Sequence, residues 1–88
     1  MKILLVGGGG REHAILWKLS QSPMVEKIYC IPGNGGMDEL AECVPGDISD
    51  INFLVDFAKE YAIDFTVVGP ELPLALGVVD AFQRENLR

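Results

Sequence analysis

Residues 3–13 of the chain read Ile-Leu-Leu-Val-Gly-Gly-Gly-Gly-Arg-Glu-His, and this stretch decides the fold. Four apolar residues lead into four glycines, and an amphipathic segment from Ala14 to Leu19 follows. This order predicts a strand, a tight turn and a helix. Glycine tolerates a positive φ and lets a ligand approach the main chain. The free amide groups that open the helix favour an anion such as phosphate.

Arg11 falls in the first turn of this predicted helix, where a cation opposes the helix dipole. Helix stability therefore gives no reason for an arginine here, and a broken local rule beside a glycine loop points to function. A guanidinium binds phosphate in a bidentate fork. The glycine loop and Arg11 together predict a phosphate site, and a tight turn that binds nothing is the alternative.

The spacing of the glycines argues against a dinucleotide such as NAD. The fingerprint Gly-x-Gly-x-x-Gly needs a small residue three places after its second glycine, and that place holds Glu12 or His13. The fingerprint also needs an acid near the end of the second strand. Here the second predicted strand runs into Pro32-Gly33-Asn34-Gly35-Gly36, which has no carboxylate. An NAD(P)-binding oxidoreductase domain is thus an alternative that both features disfavour.

The amino-acid composition limits the classes of protein and partner that remain. The 88 residues suffice for one domain, and the hydrophobic fraction of 49% indicates a globular fold. The net charge of −6, with no cluster of Lys or Arg, argues against nucleic acid or an anionic membrane as partner. Cys30 and Cys43 have no metal-ligand spacing and are expected to be reduced thiols. No apolar run approaches the length of a membrane span, so we expect a cytoplasmic protein.

Strands and helices alternate along the chain, and this alternation predicts a parallel sheet covered on both faces. The fold class is therefore α/β, a Rossmann-like three-layer α/β/α arrangement. Trp17, Phe53 and Phe57 are expected in its core. The predicted elements are strands at Lys2–Val6, Lys27–Ile31, Ala41–Val44 and Phe65–Val68, and helices from Arg11 to Ser20, after Ser49 or Asp50 as N-cap, and from Pro73 onwards.

A strand order of 3-2-1-4 brings three loops to one rim: Gly7–His13, Pro32–Gly36 and Gly69–Pro73. Glu71, in the third loop, suits the hydroxyl groups of a sugar because a carboxylate accepts two hydrogen bonds. Its alternative role is to stabilise the N-terminus of the following helix. Phosphate at one end and hydroxyl groups at the other describe a sugar phosphate as ligand.

Three further polar residues lie in these loops. Glu12 is expected to stabilise the N-terminus of its own helix. His13 suits either an acid–base role or a structural hydrogen bond, and the second is favoured because no catalytic partner is visible. Asn34 is interpreted as a turn residue that tolerates the left-handed conformation, with a ligand contact open.

Together these motifs resemble the phosphoribosylamine–glycine ligase family of de novo purine biosynthesis, also called glycinamide ribonucleotide synthetases. The resemblance is nearly collinear over the 88 residues and covers the N-terminal domain of the family. It is carried by Ile3–Val6 with Gly-Gly-Gly-Gly-Arg-Glu-His-Ala, Trp17-Lys18-Leu19, Ser22-Pro23, Pro32-Gly33-Asn34, and Val68-Gly69-Pro70-Glu71 with Pro73-Leu74.

The resemblance implies an ATP-grasp carbon–nitrogen ligase that joins glycine to 5-phosphoribosylamine through a glycyl phosphate, with ATP and Mg²⁺ or Mn²⁺. The products are glycinamide ribonucleotide, ADP and phosphate. It also implies that residues 1–88 are a fragment that ends before the last strand of its domain, with the ATP-grasp and C-terminal domains following. This fragment is expected to be inactive by itself, and its partners are the small-molecule substrates and the remainder of its own polypeptide.

Carried over position by position, the resemblance places the phosphoribosyl-binding residues in the three loops. No catalytic or metal-binding residue is assigned to this chain. A non-catalytic phosphate-binding module is the other open alternative. The residues assigned to the phosphoribosyl group are Gly8, Gly9, Gly10, Arg11, Asn34 and Glu71.

Overall fold

Strands and helices alternate through the part of the chain that the structure, a computed structural model, describes: residues 1–69, 77–85 and 87. The predicted start of the last helix at Pro73 lies outside these residues. In chain order the elements are β1 (Lys2–Gly7), α1 (Gly10–Ser20), β2 (Lys27–Pro32), a 3₁₀ turn (Gly35–Met37), β3 (Glu42–Cys43), α2 (Ile51–Glu60), β4 (Phe65–Val68) and α3 (Val78–Arg84).

The four strands form one parallel sheet in the order β3-β2-β1-β4, which is the order that brings the three loops to one rim. Val6 on the central strand β1 pairs with Ile31 of β2 on one side and with Val68 of β4 on the other. All strands of a parallel sheet end at the same edge. The loops that follow β1, β2 and β4 therefore start side by side.

Alternate side chains of β1 enter two separate apolar layers, as the period of a strand requires. Leu4 and Val6 pack with residues of α2 and α3 on one face of the sheet. Ile3 and Leu5 pack on the opposite face with Leu16 of α1. The sheet thus lies between two layers, and the three-layer α/β/α fold is confirmed. No helix of the described residues is both long and apolar enough to cross a membrane.

Helix α2 has a side-chain N-cap and one buried apolar face. Its N-cap is Asp50, one of the two predicted caps, and the carboxylate accepts a hydrogen bond of 3.1 Å from the amide of Phe53. Phe57 lies in the core as predicted, 5.4 Å edge-on from Tyr29 and 4.3 Å from the stacked ring of Tyr61, measured between ring centroids. These contacts hold α2 firmly against the sheet.

The prediction that Trp17 belongs to the core is wrong, because its side chain is 56% exposed. Leu16 is the residue of α1 that is fully buried against the sheet, and the next residue is rotated by about 100° around the helix, away from that face. Phe53 is only half-buried, at the margin of the layer that contains α2. Hydrophobic character alone did not identify which side of α1 faces the sheet.

Candidate ligand-binding site

The loops after β1 and β2 are hydrogen-bonded to each other at the carboxyl edge of the sheet. Asn34 donates its side-chain amide to the carbonyl of Gly8 at 2.6 Å. The backbone amide of Gly33 donates to the carbonyl of Gly7 at 3.2 Å. The structure confirms that these two loops meet, and the asparagine provides the side-chain contact between them.

Asn34 caps the 3₁₀ turn that follows it, without the left-handed conformation that an asparagine tolerates. Its φ is −151°, and its side-chain oxygen accepts a 2.9 Å hydrogen bond from the amide of Gly36. Gly33 has the positive φ instead, +69°, and a Cβ there would lie 3.1 Å from the Cβ of Cys30. The turn therefore depends on the glycine, which leaves the asparagine free to bridge the loops.

The N-terminus of α1 opens into the same space. Its N-cap is Gly9, and no side chain of the described residues caps it. The first helical hydrogen bond runs from the amide of His13 to the carbonyl of Gly9, at 3.0 Å. The amide groups of Gly10, Arg11 and Glu12 precede that bond and have no partner within the helix. A Cβ on Gly10 would meet no atom of the described residues within 4 Å, so within this part of the chain the end of the helix has room for an anion.

Arg11 connects the glycine loop to the end of β4. Its guanidinium Nη2 donates to the carbonyl of Gly69 at 2.6 Å, and its Nε lies 3.7 Å from a carboxylate oxygen of Glu12. The side chain is 69% exposed. Because a guanidinium carries five N–H groups, donors remain for a ligand after the bond to Gly69 is made.

Glu12 is buried, which our interpretation as a helix-terminus carboxylate did not foresee. Only 6% of the residue is exposed, and its side chain lies between Gly7 and Gly69. A Cβ on Gly69 would lie 2.8 Å from the carboxylate carbon of Glu12, and one on Gly7 would lie 2.6 Å from its Cγ. The sequence signal was present, since Glu12 takes the place of the third glycine in the dinucleotide fingerprint.

The predicted site residues divide into those that the structure describes and one that it does not. Gly8, Gly9, Gly10, Arg11 and Asn34 lie together at the carboxyl edge of the sheet, while Glu71 lies outside the described residues. His13 is half-buried beside the second loop, and its Cε1 lies 3.1 Å from where a Cβ of Gly36 would be. That any of these residues binds a ligand stays a prediction.

The two cysteines lie on β2 and β3, next to the loop that contains Asn34. Cys30 and Cys43 are free thiols that face each other in the β2–β3 register, and Cys43 donates a 3.6 Å hydrogen bond to the carbonyl of Asn34. Burial, with a smaller contribution from Cys43, raises the pKa of the Cys30 thiol to about 12. Burial and Asp38 raise the pKa of Cys43 as well. Both thiols are therefore protonated near neutral pH and act as packing groups.

Two clefts of the described structure lie elsewhere. One, of about 540 Å³, opens near the amino ends of β2 and β3 and includes Lys27, Asp38 and Glu42. The other, of about 320 Å³, is apolar and lies between β4 and α3. Ligands of open parallel sheets bind at the carboxyl ends of the strands, so we assign the candidate site to the loops. Among residues 1–69, 77–85 and 87, no three potential metal ligands cluster.

Comparison with known proteins gives consistent matches over the whole chain. The family model described as "Phosphoribosylglycinamide synthetase, N domain" matches residues 1–88. Proteins named phosphoribosylamine–glycine ligase are similar to the chain: that of Caldanaerobacter subterraneus subsp. tengcongensis is 60% identical and that of Halalkalibacterium halodurans 53% identical, each over 100% of the chain. The ligase of Vibrio parahaemolyticus is 53% identical over 99% of the chain. The chain spans 21% of the length of each of these relatives.

Proposed function

The chain belongs to the family of the phosphoribosylglycinamide synthetase N domain, and from this premise we propose that it is the N-terminal domain of a phosphoribosylamine–glycine ligase. The whole protein would join the carboxyl group of glycine to the amine of 5-phosphoribosylamine, while ATP is converted to ADP and phosphate. The part of this domain would be to hold the phosphoribosyl group. The relatives that carry the ligase name, at 53–60% identity, support this reading.

The open N-terminus of α1 carries the proposal. The amides of Gly10 and its neighbours lie at the positive end of a helix dipole that no described side chain caps. Arg11 adds a formal positive charge beside them, with its side chain mostly exposed. Free backbone amides and a guanidinium are the groups that bind phosphate best. We place the 5′-phosphate of the substrate here, along Gly8, Gly9 and Gly10.

We assign the sugar hydroxyls to the other two loops. Asn34 is held 2.6 Å from the carbonyl of Gly8, so a ligand on the glycine loop lies next to the Asn34 loop. Glu71 follows β4 by three residues in the sequence, after Gly69, whose carbonyl Arg11 contacts. We propose that the Glu71 carboxylate accepts hydrogen bonds from the ribose hydroxyls.

ATP and its divalent cation are assigned to the rest of the polypeptide. The chain has no Gly-x-x-x-x-Gly-Lys-Ser/Thr sequence, and the described residues contain no cluster that fits Mg²⁺ or Mn²⁺. The 88 residues alone are therefore expected to show no glycine-dependent release of ADP. The role that we propose for this domain is to bind and orient the sugar phosphate.

Arg11→Ala in the full-length protein tests the proposal. Loss of a charge-assisted contact to phosphate should cost about 1.5–3 kcal/mol, which is roughly a 10- to 150-fold rise in KM for 5-phosphoribosylamine. The KM values for ATP and glycine should not change. Lys18→Ala, an exposed cation in the last turn of the same helix, is the matched control and should behave as wild type. An unchanged KM for the sugar phosphate in Arg11→Ala would refute the phosphate site.

A further inference from the structure

A buried carboxylate and an exposed guanidinium meet at the end of β4. Arg11 folds back over the start of α1, so that its Nη2 reaches the carbonyl of Gly69 at 2.6 Å while its Nε lies 3.7 Å from Glu12. Consecutive residues of a helix normally point in different directions. Their approach here therefore requires Glu12 to turn inward and Arg11 to lie across it.

The burial of Glu12 needs an explanation, because a carboxylate taken out of water is costly unless it is paired. Within residues 1–69, 77–85 and 87, Arg11 is the one cation within 4 Å of this carboxylate. A hydrophobic residue would fill the same space at lower cost. The presence of a buried charged group beside the candidate phosphate site therefore points to a role for its charge.

The space for Glu12 is provided by two glycines at the carboxyl ends of neighbouring strands. Gly7 ends β1 and Gly69 follows β4, and a Cβ on either would lie within 3 Å of the Glu12 side chain. Real Cβ atoms do not approach other atoms so closely, so the carboxylate is seated in a slot that both residues must leave open. This slot limits the movement of Glu12 and gives its charge a defined position.

We propose that Glu12 is a positioning residue, which holds the guanidinium of Arg11 against the carbonyl of Gly69 and so directs its remaining N–H groups at the phosphate of the substrate. This inference rests on the function proposed above. A free arginine side chain has several rotatable bonds, and ordering it on binding costs affinity. An arginine already held at two points would lose less freedom when the phosphate arrives.

The pairing also has a consequence for charge. The Glu12 carboxylate lies below the loop, 3.7–3.8 Å from where a Cβ of Gly9 would be. Without Arg11, this carboxylate would repel a phosphate bound to the loop. The two side chains should therefore be coupled in substrate binding, and a double-mutant cycle measures such coupling directly.

The test uses Glu12→Gln, Arg11→Ala and the double variant in the full-length protein, with kinetics for each substrate. Glu12→Gln should raise KM for 5-phosphoribosylamine roughly two- to fivefold, the scale of a partly exposed ion pair, with kcat and the KM for ATP unchanged. In the Arg11→Ala background the same substitution should leave that KM unchanged or lower it. Glu60→Gln, an exposed carboxylate at the end of α2, is the matched control.

Equal rises of KM in both backgrounds would show that Glu12 acts independently of Arg11, and no rise in either would show that it does not act at all; each result overturns the inference. If Arg11→Ala itself leaves the KM for 5-phosphoribosylamine unchanged, the proposed phosphate site fails as well. If Arg11→Ala raises it and Glu12→Gln does not, only the positioning role fails.

A second variant keeps the test decisive should Glu12→Gln disturb folding. Gly69→Ala leaves both charges in place but puts a Cβ 2.8 Å from the carboxylate carbon of Glu12, which displaces that side chain. It should raise KM for the sugar phosphate and leave the KM for glycine unchanged. A Gly69→Ala protein with wild-type KM values would overturn the inference.

Discussion

Helices α1 and α2 begin in opposite ways. At α2, the carboxylate of Asp50 accepts a hydrogen bond from the amide of Phe53, so its N-terminus is closed by its own chain. At α1, Gly9 offers no side chain, and no other described side chain caps the helix. Four residues of α2 are buried and apolar, whereas the buried residues of α1 are Leu16 and the charged Glu12.

This difference separates a helix that stabilises the domain from one whose N-terminus is proposed to bind the ligand. Amides without a partner within the helix and an opposing cation at the start of α1 lower its stability, and neither is needed to cover the sheet. The N-terminus of α1 is held by its surroundings instead, through the bond of Arg11 to Gly69 and the bond of Asn34 to Gly8. The cost in stability falls where the site is proposed.

The largest effect is expected on the α2 side of the comparison. Phe57→Ala should reduce the free energy of unfolding of the domain by about 3–5 kcal/mol, because it removes a buried ring that contacts Tyr29 and Tyr61. Amide hydrogen exchange of β1 in the full-length protein measures this loss. At a temperature where the variant remains folded, KM for the sugar phosphate should equal that of wild type. A changed KM would mean that α2 also affects substrate binding, which contradicts the proposed division of roles between the two helices.

Substitution of Glu71, which lies outside the described residues, tests the proposed contact with the ribose hydroxyls. Glu71→Ala should weaken apparent affinity for the sugar phosphate by about 1–2 kcal/mol, and Glu71→Gln by less, since hydroxyls partly adapt to an amide. A substrate analogue without ribose hydroxyls should bind both variants and wild type about equally. If the carboxylate only supports the following helix, affinity would stay constant and stability would fall by up to ~1 kcal/mol.

Asp50→Ala removes the side-chain N-cap of α2. Removing the N-cap should cost about 1 kcal/mol of stability, because the amide of Phe53 loses its partner. Hydrogen exchange of the α2 amides reports the loss, and Asp56→Ala, on the exposed side of the same helix, serves as control. No change in ligand binding is expected. A variant as stable as wild type would mean that the cap does not stabilise α2.

Gly9→Ser closes the open helix and should have the smallest effect on stability, a gain of a few tenths of a kcal/mol. The φ of Gly9 is −85°, which any residue adopts, and a Cβ there would make only ordinary contacts with Glu12. If the free amides of α1 bind phosphate, the serine hydroxyl competes for them, and KM for the sugar phosphate should rise. Higher stability with an unchanged KM would argue that these amides do not meet the ligand.

Much of the fold was predictable because its signals are local. The glycine run after β1, the apolar period of α2 and its Asp50 cap each lie within one short segment, and the alternation of such segments predicts a parallel sheet. Several boundaries differ by one residue: α1 begins at Gly10, before the predicted Arg11, and β2 extends to Pro32. Trp17 was assigned wrongly because its exposure depends on how α1 rotates against the sheet, which side-chain hydrophobicity does not specify.

The sequence by itself determined the order of strands and helices, the open start of α1 and the loops that flank it. Only the tertiary structure decided what the polar residues of those loops do. Asn34 bridges two loops, and Glu12 is buried between Gly7 and Gly69, because strands distant in sequence end side by side. Local propensity describes one segment at a time, whereas the slot for Glu12 exists only after β1 and β4 have paired.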